Sequence, residues 1–275
     1  MTKQLDQILA HTLLDVGRRK AAANLPELER RAAAHRPRGF ARGLRAAGHA
    51  MVAGELRPRP AVIAEIKKAS PSRGLIRADF RPLELGTSLE AAGAAALSVL
   101  TDAEFFGGSL DDLTVVSSHV RIPCLRKDFI LDPFQVLEAR AAGADAVLLI
   151  VAALTDDQLD LLHTFARDLE LDVLVEAHDA DQIARAIDLG AEIIGVNSRD
   201  LRSFVVDTNL LLELCDLLPN EVLRVAESGI RTAEDLDHLR AGGYQAFLVG
   251  EALMRQPEPA AALALMLDRN YSSNI

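Results

Sequence analysis

The stretch from residue 122 to residue 151 reads IPCLRKDFILDPFQVLEARAAGADAVLLIV and contains one complete repeat of the fold. A short apolar run, Ile122–Arg126, comes before a polar loop and a helical segment, Pro133–Ala142. That segment begins with Pro after an Asp and ends before a Gly, which is the preference seen at the two ends of helices. A second apolar run, Ala146–Val151, follows. The stretch therefore predicts a strand, a helix and a second strand.

The same unit repeats from residue 61 onward. Eight short apolar runs occur, and they are mostly continuous rather than alternating, which is typical of parallel strands covered by helices. They are Val62–Ile66, Ala95–Leu100, Ile122–Arg126, Ala146–Val151, Val173–Ala177, Ile193–Asn197, Val222–Ala226 and Ala246–Val249. Eight units in about 210 residues favour an α/β fold, a closed (β/α)8 TIM barrel. The main alternative is an open doubly wound sheet, but its glycine-rich phosphate loop (GxGxxG or GxxxxGK[ST]) does not occur.

The first 60 residues lie outside this repeat. Leu5–Arg19 has apolar residues at helical spacing, and Pro26–Ala34 and Phe40–Ala47 are predicted as two shorter helices. No low-complexity linker separates them from the barrel, and about 50 residues form a poor independent core. We therefore expect residues 1–275 to form a single barrel domain, with residues 1–60 as a helical extension that packs on it.

Composition excludes several classes of protein. Of the 275 residues, 49% are hydrophobic and 25% are charged, which is not the composition of a disordered chain. The net charge of −10 argues against nucleic-acid binding, and no apolar run reaches the ~20 residues of a membrane span. The N-terminus lacks the apolar segment of a signal peptide, and Cys124 and Cys215 are expected to be buried thiols. These features predict a cytoplasmic protein.

Polar side chains stand at the carboxyl ends of the predicted strands, where the active site of a (β/α)8 barrel lies. They are Glu65, Lys67, Lys127, Glu176, Asn197 and Glu227. A surface salt bridge would explain any one of them, but six at the same end point to a site. The chain has only five Lys among its 30 basic residues, and Lys, unlike Arg, can exchange a proton near neutrality. Three carboxylates and two ammonium groups in one place should drive their pKa values apart, as acid–base catalysis requires.

Glycine-containing turns follow the last two predicted strands, at Ser228–Gly229 and Gly250–Glu251. Glycine lets backbone N–H groups approach an anion, and barrel enzymes often bind a substrate phosphate with these two loops and a short extra helix. Tight turns alone would also explain the glycines, but their pairing favours a phosphate site. Phe105, Phe106 and Phe129 lie in loops at the same end and indicate an apolar or aromatic part of the substrate. The seven His and two Cys show no metal-ligand spacing, so we predict no metal.

Together these segments resemble the indole-3-glycerol phosphate synthase family. The resemblance is carried by IAEIKKASPS (63–72), LTD and FFGGS (100–102 and 105–109), LRKDFI (125–130), LVEAH (174–178), GVNSRDL (195–201) and AESGI (226–230). It extends over about residues 61 to 256, and the N-terminal helical extension also looks like that of the family. It implies that 1-(2-carboxyphenylamino)-1-deoxyribulose 5-phosphate is converted to indole-3-glycerol phosphate, with release of CO2 and water and without a cofactor.

The resemblance also implies a role for each polar residue of the site. Lys127 would be the general acid that protonates the substrate carbonyl during ring closure, and Glu176 its acid–base partner in the dehydration. Lys67, oriented by Glu65, would hold the substrate carboxylate and could donate a proton in the dehydration. The residues that would position polar groups and the ring nitrogen are Asn197 and Glu227.

Eight further residues are implied to bind the substrate. The phosphate would lie on Ser228, Gly229, Gly250 and the backbone of Glu251, with Ser70 nearby. The anthranilate ring would be enclosed by Phe105, Phe129 and Arg199.

Two alternatives stay open at this point. One is a barrel like phosphoribosylanthranilate isomerase, which would have a Cys at the end of the first strand, where this chain has Glu65 and Lys67. The other is a non-catalytic barrel that binds a sugar phosphate. In each case we expect a small-molecule ligand, no nucleic-acid or membrane partner, and a monomer or weak homodimer.

Overall fold

A computed structural model describes residues 3–52, 55–199, 206 and 208–272 of the chain. Residues 200 and 201, the last two of the GVNSRDL motif, therefore lie outside the described part. The chain begins with three helices and a two-stranded hairpin, which are α1 (Lys3–Ala22), α2 (Leu25–Ala34), α3 (Phe40–Ala47), β1 (His49–Val52) and β2 (Glu55–Pro58). The three helices were predicted within three residues at each end, whereas the hairpin was not predicted.

Eight parallel strands close into a barrel, which confirms the predicted (β/α)8 fold. The strands are β3 (Ala61–Ile66), β6 (Ala96–Leu100), β7 (Cys124–Lys127), β8 (Ala146–Ile150), β9 (Asp172–Ala177), β10 (Ile193–Asn197), β11 (Leu223–Glu227) and β12 (Ala246–Val249). Each pairs with the next in sequence, and β12 pairs with β3 to close the barrel. A second hairpin, β4 (Ala69–Ser70) with β5 (Gly74–Leu75), follows the first barrel strand.

Helices connect the strands. The longer ones are α4 (Pro82–Ala91), α6 (Leu110–Ser117), α7 (Pro133–Ala141), α8 (Asp156–Asp168), α9 (Ala180–Asp188), α10 (Asn209–Cys215), α11 (Ala233–Ala241) and α13 (Pro259–Ser272). Three single turns lie at strand ends: α5 (Ala103–Phe106), α12 (Glu251–Met254) and a 3-10 turn (Val151–Ala153). The helix in the opening stretch, α7, starts with the Asp132–Gln135 capping box and is followed by Gly143 at φ 87°. These end signals explain why sequence alone located it.

The apolar residues form two buried layers, one inside the barrel and one between strands and helices. Val62 and Ala64 point outward to the helices, whereas Ala61 and Ile63 point inward. Successive side chains of a strand point to opposite faces, so both faces of each strand are buried. This is why the strands read as continuous apolar runs.

Ionic contacts join the N-terminal extension to the barrel. Arg38, between α2 and α3, donates from Nε to the fully buried Asp145 at 2.9 Å, and Asp172 accepts from the backbone N–H of Ala41 at 2.9 Å. Arg19 of α1 pairs with Glu138 of α7. The extension thus contacts the barrel through at least three elements.

The two cysteines, Cys124 and Cys215, are free thiols and are buried, as predicted. No helix in the described part of the chain is both long and apolar enough to cross a membrane.

Candidate active site

Four charged side chains form one layer inside the barrel. Glu65, Lys127, Glu176 and Glu227 come from alternate strands, which are β3, β7, β9 and β11. In a (β/α)8 barrel, alternate strands contribute the side chains of one interior layer, so these four meet at one level. The Nζ atom of Lys127 lies 2.7 Å from Oε2 of Glu176 and 3.0 Å from Oε2 of Glu227.

The carboxylates of this layer titrate differently. Burial alone would raise the pKa of Glu176, but the charge and hydrogen bond of Lys127, together with the nearby His178, lower it. Burial raises the pKa of Glu227 to about 8, and the charge of Glu176 adds to this increase against the effect of Lys127. The two carboxyl groups thus differ in protonation at neutral pH, as acid–base partners do.

Lys127 remains protonated at neutral pH. Burial would lower its pKa, but the charges of Glu176, Glu227 and Glu65 raise it above its ordinary value. One ammonium group therefore sits between one ionised and one largely protonated carboxyl group. At neutral pH, Lys127 can therefore donate a proton, and the ionised Glu176 can accept one.

A second ion pair stands above this layer. Lys67, two residues after Glu65 on the same side of the chain, pairs with its carboxylate. Both side chains are buried or nearly so. Ser70 lies beside them, and its buried Oγ has no hydrogen-bond partner within the described residues. These groups can bind an anion that enters the barrel mouth.

The layer lies at the base of a cavity of about 620 Å³. Its polar lining includes Glu65, Lys67, Lys127, Glu176, Asn197 and Glu227, all six predicted strand-end residues. Its apolar lining includes Leu5, Ile8, Leu100, Phe106, Phe129, Leu148, Ile150 and Leu248. A cavity of this size, with both apolar and charged lining residues, suits a small molecule with an aromatic part and acidic groups.

The end of the cavity beside α12 is rich in arginine. Glu251 at the start of α12 accepts a hydrogen bond from Arg255 at 2.9 Å and lies 3.4 Å from Arg73 and 3.6 Å from Arg199. Burial would raise the pKa of Glu251, but these arginines lower it. Three arginines therefore surround the single carboxylate of Glu251, so the charge here is positive. Arg231 is a fourth arginine of the cavity lining.

The predicted phosphate loops lie at this arginine-rich end. Ser228, Gly229, Gly250 and Glu251 line the same part of the cavity, and Ser228 and Gly229 have φ values of 69° and 78°. The short helix expected after the last strand is α12. Among the described residues, no group of three or more His, Cys, Asp or Glu is placed to hold a metal ion.

Comparison with known proteins gives the family. A family model for indole-3-glycerol phosphate synthase matches residues 5–266. The chain belongs to the indole-3-glycerol phosphate synthase family.

Two relatives bear that name. One, from Koribacter versatilis, is 55% identical over 96% of this chain and 98% of its own length. Another, from Acidithiobacillus ferrooxidans, is 48% identical over 96% of this chain and 98% of its own length. Among solved structures, a mandelate oxidase mutant matches with a TM-score of 0.61 at 19% identity, covering 80% of this chain and 76% of that one. At that identity the structural likeness concerns the barrel fold alone.

Most of the residues singled out by resemblance to the indole-3-glycerol phosphate synthase family line the cavity. Phe105 does not; its ring packs edge-on against His11 of α1, with ring centres 5.5 Å apart. The neighbouring Phe106 lines the cavity instead, tilted against Phe129 at 6.5 Å. Phe106 is therefore a further candidate for the aromatic wall, and the role of Phe105 stays a prediction.

Two residues of α1, Leu5 and Ile8, line the cavity, which was not predicted. Both were recognised only as part of an apolar helix stripe. The sequence contains no signal that shows which end of the barrel α1 covers. Nε2 of His178, the last residue of the LVEAH motif, lies 3.4 Å from Oε1 of Glu176, but His178 is not among the residues that line the cavity.

Proposed function

We propose that this chain catalyses the indole-3-glycerol phosphate synthase reaction with Lys127 as its general acid. The substrate, 1-(2-carboxyphenylamino)-1-deoxyribulose 5-phosphate, closes a ring, loses CO2 and then loses water. The observation that carries the assignment of roles is the position of Lys127 between Glu176 and Glu227 at the base of the cavity. Family membership removes the two earlier alternatives, the isomerase-like barrel and the non-catalytic barrel.

Ring closure turns the substrate ketone into an alcohol. The ring carbon that bears the carboxylate attacks the carbonyl carbon, and the carbonyl oxygen gains negative charge. An oxygen that becomes an alkoxide is more basic than an amine, so Lys127 can protonate it despite its raised pKa. Loss of CO2 then returns the bonding electrons to the ring.

Dehydration needs an acid at the departing hydroxyl group and a base for the proton that is lost. Glu176 is ionised and hydrogen-bonded to Lys127, so it supplies the base and exchanges protons with the lysine. Lys67, held by Glu65, binds the substrate carboxylate before it leaves and is the second proton donor within the cavity. Asn197 and Glu227 position the polar groups of the intermediate.

The remaining groups hold the two ends of the substrate. Ser228, Gly229, Gly250 and the backbone of Glu251 bind the phosphate at the arginine-rich end, with Ser70 nearby, whereas Arg199 encloses the aromatic ring. The aromatic ring lies against Phe106 and Phe129. Holding both ends fixes the carbonyl over Lys127, which accounts for part of the rate increase.

We also propose that residues 1–275 act as a single domain. The extension supplies Leu5 and Ile8 to the cavity and is tied to the barrel through Arg38 and Asp145. A barrel that lacks the extension would lose one side of its cavity.

A turnover assay tests the function directly. The substrate is added to purified protein without metal or nucleotide, and indole fluorescence is followed; the chain has no Trp to obscure it. We expect a rising signal that Lys127→Met abolishes. Lys20→Met is the matched control, because Lys20 is half exposed and pairs with Asp132 at 2.9 Å on the outside of the barrel.

The possible results separate function from residue role. No signal from the unaltered protein would contradict the function itself. A normal signal from Lys127→Met would leave the function in place and remove Lys127 as its acid.

A further inference from the structure

Gly195 of β10 lies directly beside the carboxyl group of Glu227. A Cβ atom on Gly195 would lie 3.2 Å from Cδ of Glu227 and would overlap its Oε1. The carboxyl group therefore occupies the space that the side chain of any other residue at position 195 would take. Gly195 points into the barrel because it is two residues before Asn197, which lines the cavity.

Backbone conformation does not explain this glycine. Gly195 is in a regular strand, paired with Glu176 on one side and Val225 on the other, and it is not among the glycines with positive φ. Glycine inside a strand weakens it, since it lacks a side chain to pack. The carboxyl group of Glu227 needs the space that a side chain at position 195 would fill.

The two carboxyl oxygens of Glu227 differ in their contacts. Oε2 accepts a hydrogen bond from Lys127 at 3.0 Å, and Oε1 is buried with no hydrogen-bond partner within the described residues. Oε1 is also the atom that a side chain on Gly195 would displace. Displacing it would turn the carboxyl group and move Oε2 away from Lys127. The third nearby atom is Cδ1 of Leu174, at 3.2 Å. Because only the ends of flexible side chains are in the way, the strand itself would not have to move.

A second glycine of the cavity has the same relation to another carboxylate. A Cβ atom on Gly250 would lie 2.9 Å from Cδ of Glu65 and would overlap its Oε2. Two carboxylates of the charged layer thus each lie against a glycine of a neighbouring strand or strand end. If these glycines were only accidental gaps in strand packing, we would not expect one beside each of two carboxylates.

We propose that Gly195 is a positioning residue for the reaction, which leaves room for the carboxyl group of Glu227 to stay within reach of Lys127 and the substrate. This inference rests on the proposed function, in which Lys127 and Glu227 act on the substrate. Gly195 itself touches no reacting atom, so its effect on the rate passes through Glu227.

The first test is Gly195→Ala, measured as kcat and KM in the turnover assay. We expect kcat to fall about 100-fold, near the lower end of what acid–base catalysis contributes. KM should change less than about threefold, since the groups that hold the phosphate and the ring are untouched. Val225→Ile is the control, because it also adds carbon to the barrel interior but lies in the apolar layer below. It should keep kcat within about threefold of the unaltered protein.

The second test is a double-mutant cycle with Glu227→Asp, which shortens the side chain by one methylene group. In that background the carboxyl group no longer fills the space beside Gly195, so Gly195→Ala should cost less than about fivefold in kcat. An equal loss in both backgrounds would overturn the proposal and indicate a general packing defect. If Gly195→Ala fails to fold, recovery of folding in the double variant supports the proposal, and failure of both overturns it.

A crystal structure of Gly195→Ala gives a readout that does not depend on turnover. The proposal requires the Lys127–Glu227 hydrogen bond to be broken, and an intact one would overturn it. If the unaltered protein shows no turnover while the bond is broken in the variant, the proposed function has failed but the positioning of Glu227 by Gly195 has not.

Discussion

The ammonium group of Lys127 lies 2.7 Å from Oε2 of Glu176, although the two residues come from strands on either side of β8. This ion pair is almost completely buried. Removing such charges from water costs free energy that an apolar pair would not, so the arrangement is poor evidence of a stabilising role. The pair lies at the base of a cavity, next to a third titratable group, Glu227. Such a placement is typical of groups that act in acid–base catalysis.

Lys127→Arg separates the charge of this residue from its ability to give up a proton. Arginine keeps the positive charge and can pair with Glu176, but it does not deprotonate in a protein. We expect kcat to fall by at least about 100-fold, as for loss of a general acid. Binding of the product, indole-3-glycerol phosphate, should weaken much less, and calorimetry would measure it. An active Lys127→Arg variant would show that charge alone is needed.

The dependence of kcat on pH should show the ionisation of Glu227. Its raised pKa, about 8, means that it is protonated at neutral pH and ionises as the pH rises further. An ionised Glu227 would hold the proton of Lys127 more firmly and make it a weaker acid. We therefore expect kcat to decline above about pH 8, with a slope of at most one.

Glu227→Gln provides the control for this profile. Glutamine stays neutral, so the decline near pH 8 should disappear, even though the rate itself is reduced. A decline that persists in Glu227→Gln would belong to another group.

The strands of the fold could be predicted because their signals are local. The predicted run Val62–Ile66 and the observed β3 differ by one residue, and Ile193–Asn197 agrees with β10. Continuous apolar runs and clear helix ends specify such elements without any knowledge of the rest of the chain. The two hairpins were not predicted, because their strands are two to four residues long and show no alternation.

The candidate site could be predicted only where it depends on strand ends. Parallel strands bring their carboxyl ends together, so Glu176 and Glu227 could be placed at the same level from their positions in the repeat. The distinction between Phe105 and Phe106 depends on how α5 is turned by its cap, Asp102, and by its contact with His11. The cap is local, but the contact with His11 joins distant segments, and a single sequence does not contain it.

The helical extension should contribute to substrate binding through Ile8. This side chain is 2% exposed and lines the cavity together with Leu5 and Phe106. Ile8→Ala removes apolar surface from the wall of the cavity, so we expect KM to rise about tenfold, with a smaller effect on kcat. Leu13→Ala is the matched control, since Leu13 lies on the same helix but is 55% exposed. Equal KM values for both variants would mean that α1 does not contact the substrate.

Asp145 should stabilise the attachment of the extension to the barrel. It is fully buried and accepts hydrogen bonds from the backbone N–H groups of Arg38, at 2.7 Å, and Cys124, at 2.6 Å. Burial would raise its pKa, but hydrogen bonds from His35 and Arg38 and the charge of Arg38 lower it. Asp145→Ala leaves Arg38 without this partner, so we expect the free energy of unfolding to fall by about 3–5 kcal/mol.

Urea unfolding at two pH values checks both the size and the sign of this contribution. Because the pKa of Asp145 is lower in the folded than in the unfolded chain, its stabilising effect is present at pH 7 and is lost as the pH falls toward the folded-state pKa. The difference between the unaltered protein and Asp145→Ala should therefore be smaller at about pH 3, below the unfolded-state pKa, than at pH 7. Glu27→Gln is the control, since the Arg30–Glu27 pair is exposed and such pairs contribute only about 0–1 kcal/mol. A difference for Asp145→Ala that is no larger than that of Glu27→Gln would mean that this buried ion pair does not hold the extension in place.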